Sequence, residues 1–205
     1  MPLKTLKNYD INNKKILLRV DLNVPMSNGK ISDLSRIKSI LPTIKSIQSL
    51  GGITILISHF GRPGGLYKKD LSLKPIVPAL EKLLNFSVNF SSELIGDNVL
   101  RVIKSLKCRD ILLLENLRFH PDEEKNGELF SIELSKLGDI YCNDAFSAAH
   151  RAHASTVGVA KLLPNCVGNL MKKEIETLEN VLKKPIKPIT AVVGGAKVST
   201  KLDLL

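Results

Sequence analysis

The sequence predicts an α/β protein, a Rossmann-like three-layer sandwich with a mostly parallel sheet, followed by a truncated second α/β domain. Three observations carry that prediction. Short runs rich in Ile, Leu and Val recur at strand length. Stretches with apolar residues every three or four positions lie between them, and this alternation is the pattern of a parallel sheet covered by helices. Near residue 185 prolines close a charged helix, and a new strand pattern begins.

The strand candidates are "KILLRV" (15–20), "ITILIS" (53–58), "SVNF" (87–90), "DILLLE" (110–115) and "DIYC" (139–142). The first helix covers 33–49, where Leu34, Ile37, Ile40, Leu41, Ile44 and Ile47 share a face; Pro42 predicts a kink or a late start. A second covers 76–84 through Ile76, Leu80, Leu83 and Leu84. A third covers 127–137 through Leu129, Ile132, Leu134 and Leu137, with Asn126 as its cap. "MKKEIETLENVLKK" (171–184) reads as one amphipathic helix with Ile175, Leu178 and Leu182 on one side, ended by Pro185 and Pro188. "ITAVV" (189–193) then starts a fresh strand. The organisation is an α/β domain over 1–170, an interdomain helix over 171–187, and the start of a second α/β unit over 188–205, too short to bury a core.

Thirty basic against 20 acidic residues give a net charge of +10, which points to anionic partners. Much of that excess is lysine, which also suits a merely solvated surface. The seven arginines are more telling, because a guanidinium grips phosphate or carboxylate oxygens two at a time. An aromatic content of 4% and the lack of a nucleic-acid motif argue against base stacking. Apolar runs such as "ILLL" are too short to span a bilayer, and "MPLKTLKNYD" lacks a signal-peptide core, so a cytoplasmic protein without membrane partners is expected. Cys108, Cys142 and Cys166 match no metal knuckle and are odd in number, so reduced thiols are expected.

In open parallel sheets, ligands bind beyond the carboxyl ends of the strands. The first apolar run is followed by Asp21 and Asn23, the second by His59, Phe60, Gly61 and Arg62, the fourth by Asn116, Arg118 and His120, and the fifth by Asn143, Asp144, His150, Arg151 and His153. Arg36 opens the first helix. Taken singly, each is as well read as an ion pair, a turn support or a satisfied histidine. His150 and His153 lack a third ligand at metal spacing, and no metal site is assigned. The phase of four arginines with the strand ends is the signal. It predicts one hollow that collects Arg36, Arg62, Arg118 and Arg151 around a small ligand with two or more negative charges. Asp21 fits such a site by accepting from a ligand hydroxyl or orienting an arginine. Near the end, "VVGGAKVSTK" is not a Walker A loop, but Gly194 and Gly195 at a strand-to-helix turn allow close phosphate approach, and Lys197 and Lys201 are one helical turn apart.

Five motifs, "RVDLNVP", "SHFGRPGG", "LLLENLRFH", "NDAFSAAHRAHAST" and "VVGGAKVSTK", resemble the phosphoglycerate kinase family in order and interval, from Ile16 to Leu205. The resemblance implies two α/β domains about a hinge helix, with reversible phosphoryl transfer between 1,3-bisphosphoglycerate and ADP giving 3-phosphoglycerate and ATP, Mg2+ travelling with the nucleotide, and a monomer. It implies that Asp21 and Asn23 hold the glycerate hydroxyl and carboxyl end, and that His59, Arg62, Arg118 and Arg151 clamp the 3-phosphate, with Phe60 and Gly61 in the same loop. Arg36 would lie near the transferring group, Lys197 would stabilise the transferring phosphoryl, and Lys201 would contact nucleotide phosphates beside Gly194 and Gly195. Most of the nucleotide domain, with the Mg2+ ligands, falls outside this sequence, so the chain is expected to bind 3-phosphoglycerate and to need the other half in cis or in trans for turnover. A non-catalytic module for a phosphorylated metabolite is the alternative. Ser147 stands where the family usually has glycine; were φ positive there, serine would cost about 1 kcal/mol.

Overall fold

The computed structural model describes residues 3–183, 185–188, 190 and 192. The chain divides into two compact units, Met1–Glu174 and Ile175–Leu205, and the sheet lies in the first. The elements are β1 (Lys15–Arg19), the small hairpin β2 (Met26–Ser27) and β3 (Lys30–Ile31), α1 (Ser35–Ser49), β4 (Ile53–Ile57), α2 (Val77–Leu84), β5 (Asn89–Ser91), α3 (Asp97–Ser105), β6 (Ile111–Leu114), α4 (Glu128–Ser135), β7 (Ile140–Asn143), α5 (Val159–Leu162), β8 (Asn165–Val167) and α6 (Asn169–Lys183). Among the described residues no helix is long and apolar enough to cross a membrane.

Six strands form one sheet in the order β5-β6-β4-β1-β7-β8, and every neighbouring pair is parallel. Side chains alternate across it, so each face has its own core. Ile16, Leu18, Leu56 and Leu113 pack with Ile37, Ile40, Ile44 and Leu80 of α1 and α2. Leu17, Ile55, Leu112 and Tyr141 pack with Val99 and Ile103 of α3, Phe130 and Leu134 of α4, and Val159 of α5. Those are the three expected layers. The chain moves from β1 to β4 on one side, and later places β7 on the other. The order therefore reverses at β1, and the crevice above its carboxyl end is where such sheets take ligands.

Several local expectations need correction. Pro42 neither delays nor ends α1, which starts at Ser35 and runs to Ser49. Asn126 does not cap α4: it is left-handed at φ 54°, Gly127 takes the cap position, and no side chain caps the helix. The buried face of α4 is Phe130, Ser131 and Leu134, whereas Leu129 is 77% exposed, so the apolar stripe read from the sequence is rotated. Strand β8 was not foreseen, because its three residues carry only two apolar side chains. Cys142 and Cys166 sit opposite each other in β7 and β8, and all three cysteines are free thiols. The expected strand over 189–193 lies almost wholly outside the described residues.

The division between the two units falls within α6. Its first turn is held from a distance: the Met171 amide donates to Asp144 Oδ1 at 2.9 Å, and the Asn169 amide donates to the Thr43 hydroxyl, also at 2.9 Å. These bonds satisfy amides that a helix start leaves without partners. A Cβ on Gly168 would sit 2.3 Å from Asp144 Cγ. Gly168→Ala should therefore push Asp144 off the helix start and destabilise the chain by about 1–3 kcal/mol, read by urea unfolding; unchanged stability would show that this contact relaxes freely.

Candidate functional site

The carboxyl ends of β1, β4, β6 and β7 each deliver a polar group to one side of the sheet. From β1, the chain runs into Asp21, whose Oδ1 accepts from the Asn23 amide at 2.9 Å. Its Oδ2 is bonded by Arg36 of α1 and by the Ser147 hydroxyl. Burial alone would push the Asp21 carboxyl up; the Ser147 and Asn23 bonds, with the neighbouring His59 ring and the Arg36 charge, outweigh it and hold it below its ordinary value. Asn23 Oδ1 in turn accepts from the Gly61 amide at 2.9 Å, which ties the loop after β1 to the loop after β4.

That second loop is fixed by its backbone. Asn116, fully buried after β6, accepts from the Phe60 amide at 3.0 Å and donates to the Phe60 carbonyl at 2.7 Å. The Phe60 ring lies in the core, so only its backbone faces the loop. Gly61 has φ 58°, a conformation that favours glycine, and its carbonyl accepts from Arg118 at 2.7 Å. Arg118 is 4% exposed. Glu124 lies 3.0 Å from its Nε but off the N–H direction, so that Nε makes no hydrogen bond.

Arg151, in the loop after β7, lies close enough to Arg118, His59 and the buried Arg19 to oppose their positive charge. Asp21 and these four cationic or imidazole groups therefore share one electrostatic neighbourhood. Burial first, then the charges of Arg19 and Arg118, hold the His59 imidazolium pKa down at about 3, so the ring is neutral near pH 7.

A cavity of about 350 Å3 is lined by Asp21, Arg36, Ser39, Phe146, Ser147 and Glu174, among others; Arg62, Arg118 and Arg151 do not line it. Arg36 stays there because Asp21 holds it. Arg62 follows Gly61 in sequence, but its side chain is exposed and makes no hydrogen bond or ion pair among the described residues. His120 stacks on Phe130 with ring centroids 3.9 Å apart and accepts from the Asp122 amide, a packing role away from the cluster. Gly194, Gly195, Lys197 and Lys201 lie outside the described residues.

Ser147 is not strained. It lies in a 3-10 turn, Phe146–Ala148, outside the left-handed region. Its hydroxyl gives Asp21 a donor that glycine lacks. Ser147→Gly should raise the Asp21 pKa and cost about 0.5–1.5 kcal/mol in stability, measured by carboxylate NMR titration and unfolding; an unmoved Asp21 would refute the bond's importance.

Sequence reading missed Arg19, Glu123 and Ser155. Arg19 did carry a signal, an arginine inside an otherwise apolar strand run. Glu123 and Ser155 carried none, since only the fold brings them under the strand ends.

The family model for phosphoglycerate kinase matches residues 6–205. The chain is 51% identical to a phosphoglycerate kinase of Ruegeria pomeroyi over 205 residues, covering 100% of this chain and 52% of that protein. It is 52% identical to one of Brucella melitensis over 205 residues, again covering 100% of this chain and 52% of the relative. The solved phosphoglycerate kinase of Coxiella burnetii superposes with a TM-score of 0.87 at 39% identity, over 99% of this chain and 51% of that one. That of Pyrococcus horikoshii gives 0.88 at 36%, over 98% and 51%. The chain spans about half the length of the curated relatives it matches. A parallel six-stranded sheet, and a family match that runs along nearly every residue, make this chain a member of the phosphoglycerate kinase family.

Proposed function

We propose that this chain supplies the phosphoglycerate-binding half of a phosphoglycerate kinase, the enzyme that moves a phosphoryl group between 1,3-bisphosphoglycerate and ADP. The observation that carries the reading is the cluster of Asp21, His59, Arg118 and Arg151 above the strand ends that flank the sheet's point of reversal. Arg118 and Arg151, with a neutral His59 donating a hydrogen bond, bind the 3-phosphate, and Arg62 joins them by swinging in from solvent. Asp21, held ionised by its neighbours, accepts from the glycerate hydroxyl, while Asn23 orients the carboxyl end. Arg36, beside Asp21, faces the end at which phosphoryl transfer occurs.

Such transfer needs in-line positioning and charge neutralisation more than covalent help, and an acyl phosphate is already a good donor. Lys197 and Lys201, with Gly194 and Gly195, take the transferring phosphoryl and the nucleotide phosphates by family resemblance. Among the described residues no group of three or more His, Cys, Asp or Glu is placed to hold a metal ion. Mg2+ would come with ATP or ADP and would supply charge neutralisation at the nucleotide phosphates, held by residues of the nucleotide-binding half. The half-enzyme meets that counterpart in cis or in trans. A cytoplasmic location and a monomeric, hinge-bending enzyme belong to the same reading.

Calorimetry of the 205-residue chain with 3-phosphoglycerate tests it. Saturable binding that is lost in Arg118→Met and spared in Arg101→Met is expected. No heat up to about 10 mM ligand, weaker than roughly −3 kcal/mol of binding, would overturn it.

A further inference from the structure

We propose that Arg19 is a positioning residue: it fixes the neutral His59 ring in the tautomer whose hydrogen is on Nε2, so that this nitrogen is a committed donor to a phosphate oxygen.

Arg19 is the last residue of β1, only 1% exposed, and is one of the largest fully buried side chains. It does not reach the surface to touch a ligand. All of its recorded bonds point into the protein. Nε donates to the Ser155 hydroxyl at 3.0 Å, one terminal nitrogen donates to the Val20 carbonyl, and the other lies 3.1 Å from His59 Nδ1.

The donor directions along this chain of groups are forced. Glu123 is fully buried and accepts twice from Ser155, from its hydroxyl to Oε1 at 2.5 Å and from its amide to Oε2 at 3.0 Å. A serine hydroxyl has one hydrogen, and here it is spent on Glu123. Its lone pair then accepts from Arg19 Nε. The Tyr141 hydroxyl donates to the Ser155 carbonyl at 2.8 Å and holds that residue in place. A guanidinium has donors and no acceptor, so the contact with His59 has one possible polarity: Arg19 donates and Nδ1 accepts. A ring whose Nδ1 accepts carries its hydrogen on Nε2.

Nothing on the protein side consumes that donor. No hydrogen bond among the described residues engages His59 Nε2, and it is not one of the sealed-off polar atoms without a partner, so it opens on the surface of the cluster. The groups that bear on His59 are Arg19, Arg118 and Arg151, which disfavour a second proton, and Asp21, which favours one. Glu123 thus acts two steps away: it holds Ser155, Ser155 holds Arg19, and Arg19 sets the ring. Double protonation at Nδ1 would set two cations face to face. The site therefore keeps a neutral donor beside its arginines, which adds a directed bond to the phosphate without adding to the repulsion among those arginines.

The ligand part of this inference rests on the 3-phosphoglycerate reading, and the tautomer part does not. The test is nitrogen NMR of the full 205-residue chain labelled with 15N-histidine, without ligand. His59 should show an unprotonated Nδ1 and a protonated Nε2, unchanged from about pH 5 to 8. In Arg19→Met the ring should mix tautomers and titrate within that window, and 3-phosphoglycerate should bind roughly tenfold more weakly. If the single variant does not fold, Arg19→Met with Glu123→Gln removes both buried charges together and is read the same way. An Nδ1–H form or an imidazolium in the unsubstituted chain overturns the proposal outright. So does an Arg19 variant whose His59 keeps the single Nε2–H form. A chain with the expected tautomer that ignores 3-phosphoglycerate supports the role of Arg19 and sinks the functional reading instead.

Discussion

Glu123→Ala should destabilise the chain by about 3–5 kcal/mol, the loss expected when one partner of a buried charge pair is removed. Burial pushes the Glu123 carboxyl up; the Arg19 charge and two bonds from Ser155 oppose that rise. Removing the carboxylate leaves the Arg19 guanidinium without a nearby anion on that side, and strands the Ser155 amide and hydroxyl in a dry interior. Each orphaned donor costs about 1–3 kcal/mol, so several losses coincide. Glu123→Gln keeps an acceptor for Ser155 and should cost less than half as much. Urea unfolding of the three chains at neutral pH provides the measurement. A loss below about 1 kcal/mol for Glu123→Ala would mean that water enters and solvates Arg19, which the packing around Tyr141 and Ser155 argues against.

That prediction lies where sequence reading was weakest. The layers and the long elements were legible because they depend on local periodicity: five apolar runs are strands, and α1 is a helix despite Pro42. The strand ends were legible as well, because a parallel sheet dictates where a ligand can sit. What failed depended on non-local partners. Asn126 has a good capping side chain, but the chain spends it in a left-handed turn and lets Gly127 start α4. The apolar face of α4 turns by one residue because Phe130 finds His120 and the sheet, while Leu129 finds solvent. Arg62 and Arg118 look equivalent in sequence, both following a strand with a glycine or asparagine nearby. Arg118 is buried on the Gly61 carbonyl and Arg62 is exposed, a difference set by the Asn116 side chain that pins both loops. Ser147 looked like a departure with a cost, yet the turn it occupies accepts any residue and its hydroxyl reaches Asp21.

His59 makes the cluster sensitive to acid, and the sign follows from its pKa. Folded, the imidazolium is held at about 3 by burial, by Arg19, Arg118 and Arg151, and against the pull of Asp21. Unfolded, a histidine titrates near 6.5. Above about pH 6.5 the ring is neutral in both states and contributes no pH dependence. As the pH falls below that, the unfolded chain binds a proton that the folded chain refuses, so stability declines until the folded ring itself titrates. At about pH 4.5 the loss should be roughly 2–3 kcal/mol relative to pH 7.5, and it should approach about 4 kcal/mol nearer pH 3. Other groups act in the same range with different signs. Burial raises the Glu123 and Asp144 carboxyls, so those two gain stability as acid protonates them in the folded state first. Asp21 lies below its ordinary value and loses stability in strong acid. The informative quantity is therefore the difference between the chain and His59→Gln, whose side-chain carbonyl still accepts from Arg19. Unfolding free energies of both at pH 7.5 and 4.5 should separate by those 2–3 kcal/mol, with the variant the less acid-sensitive. Parallel losses in the two chains would place the acid sensitivity elsewhere and show that His59 takes up its proton as readily in the folded site as in water.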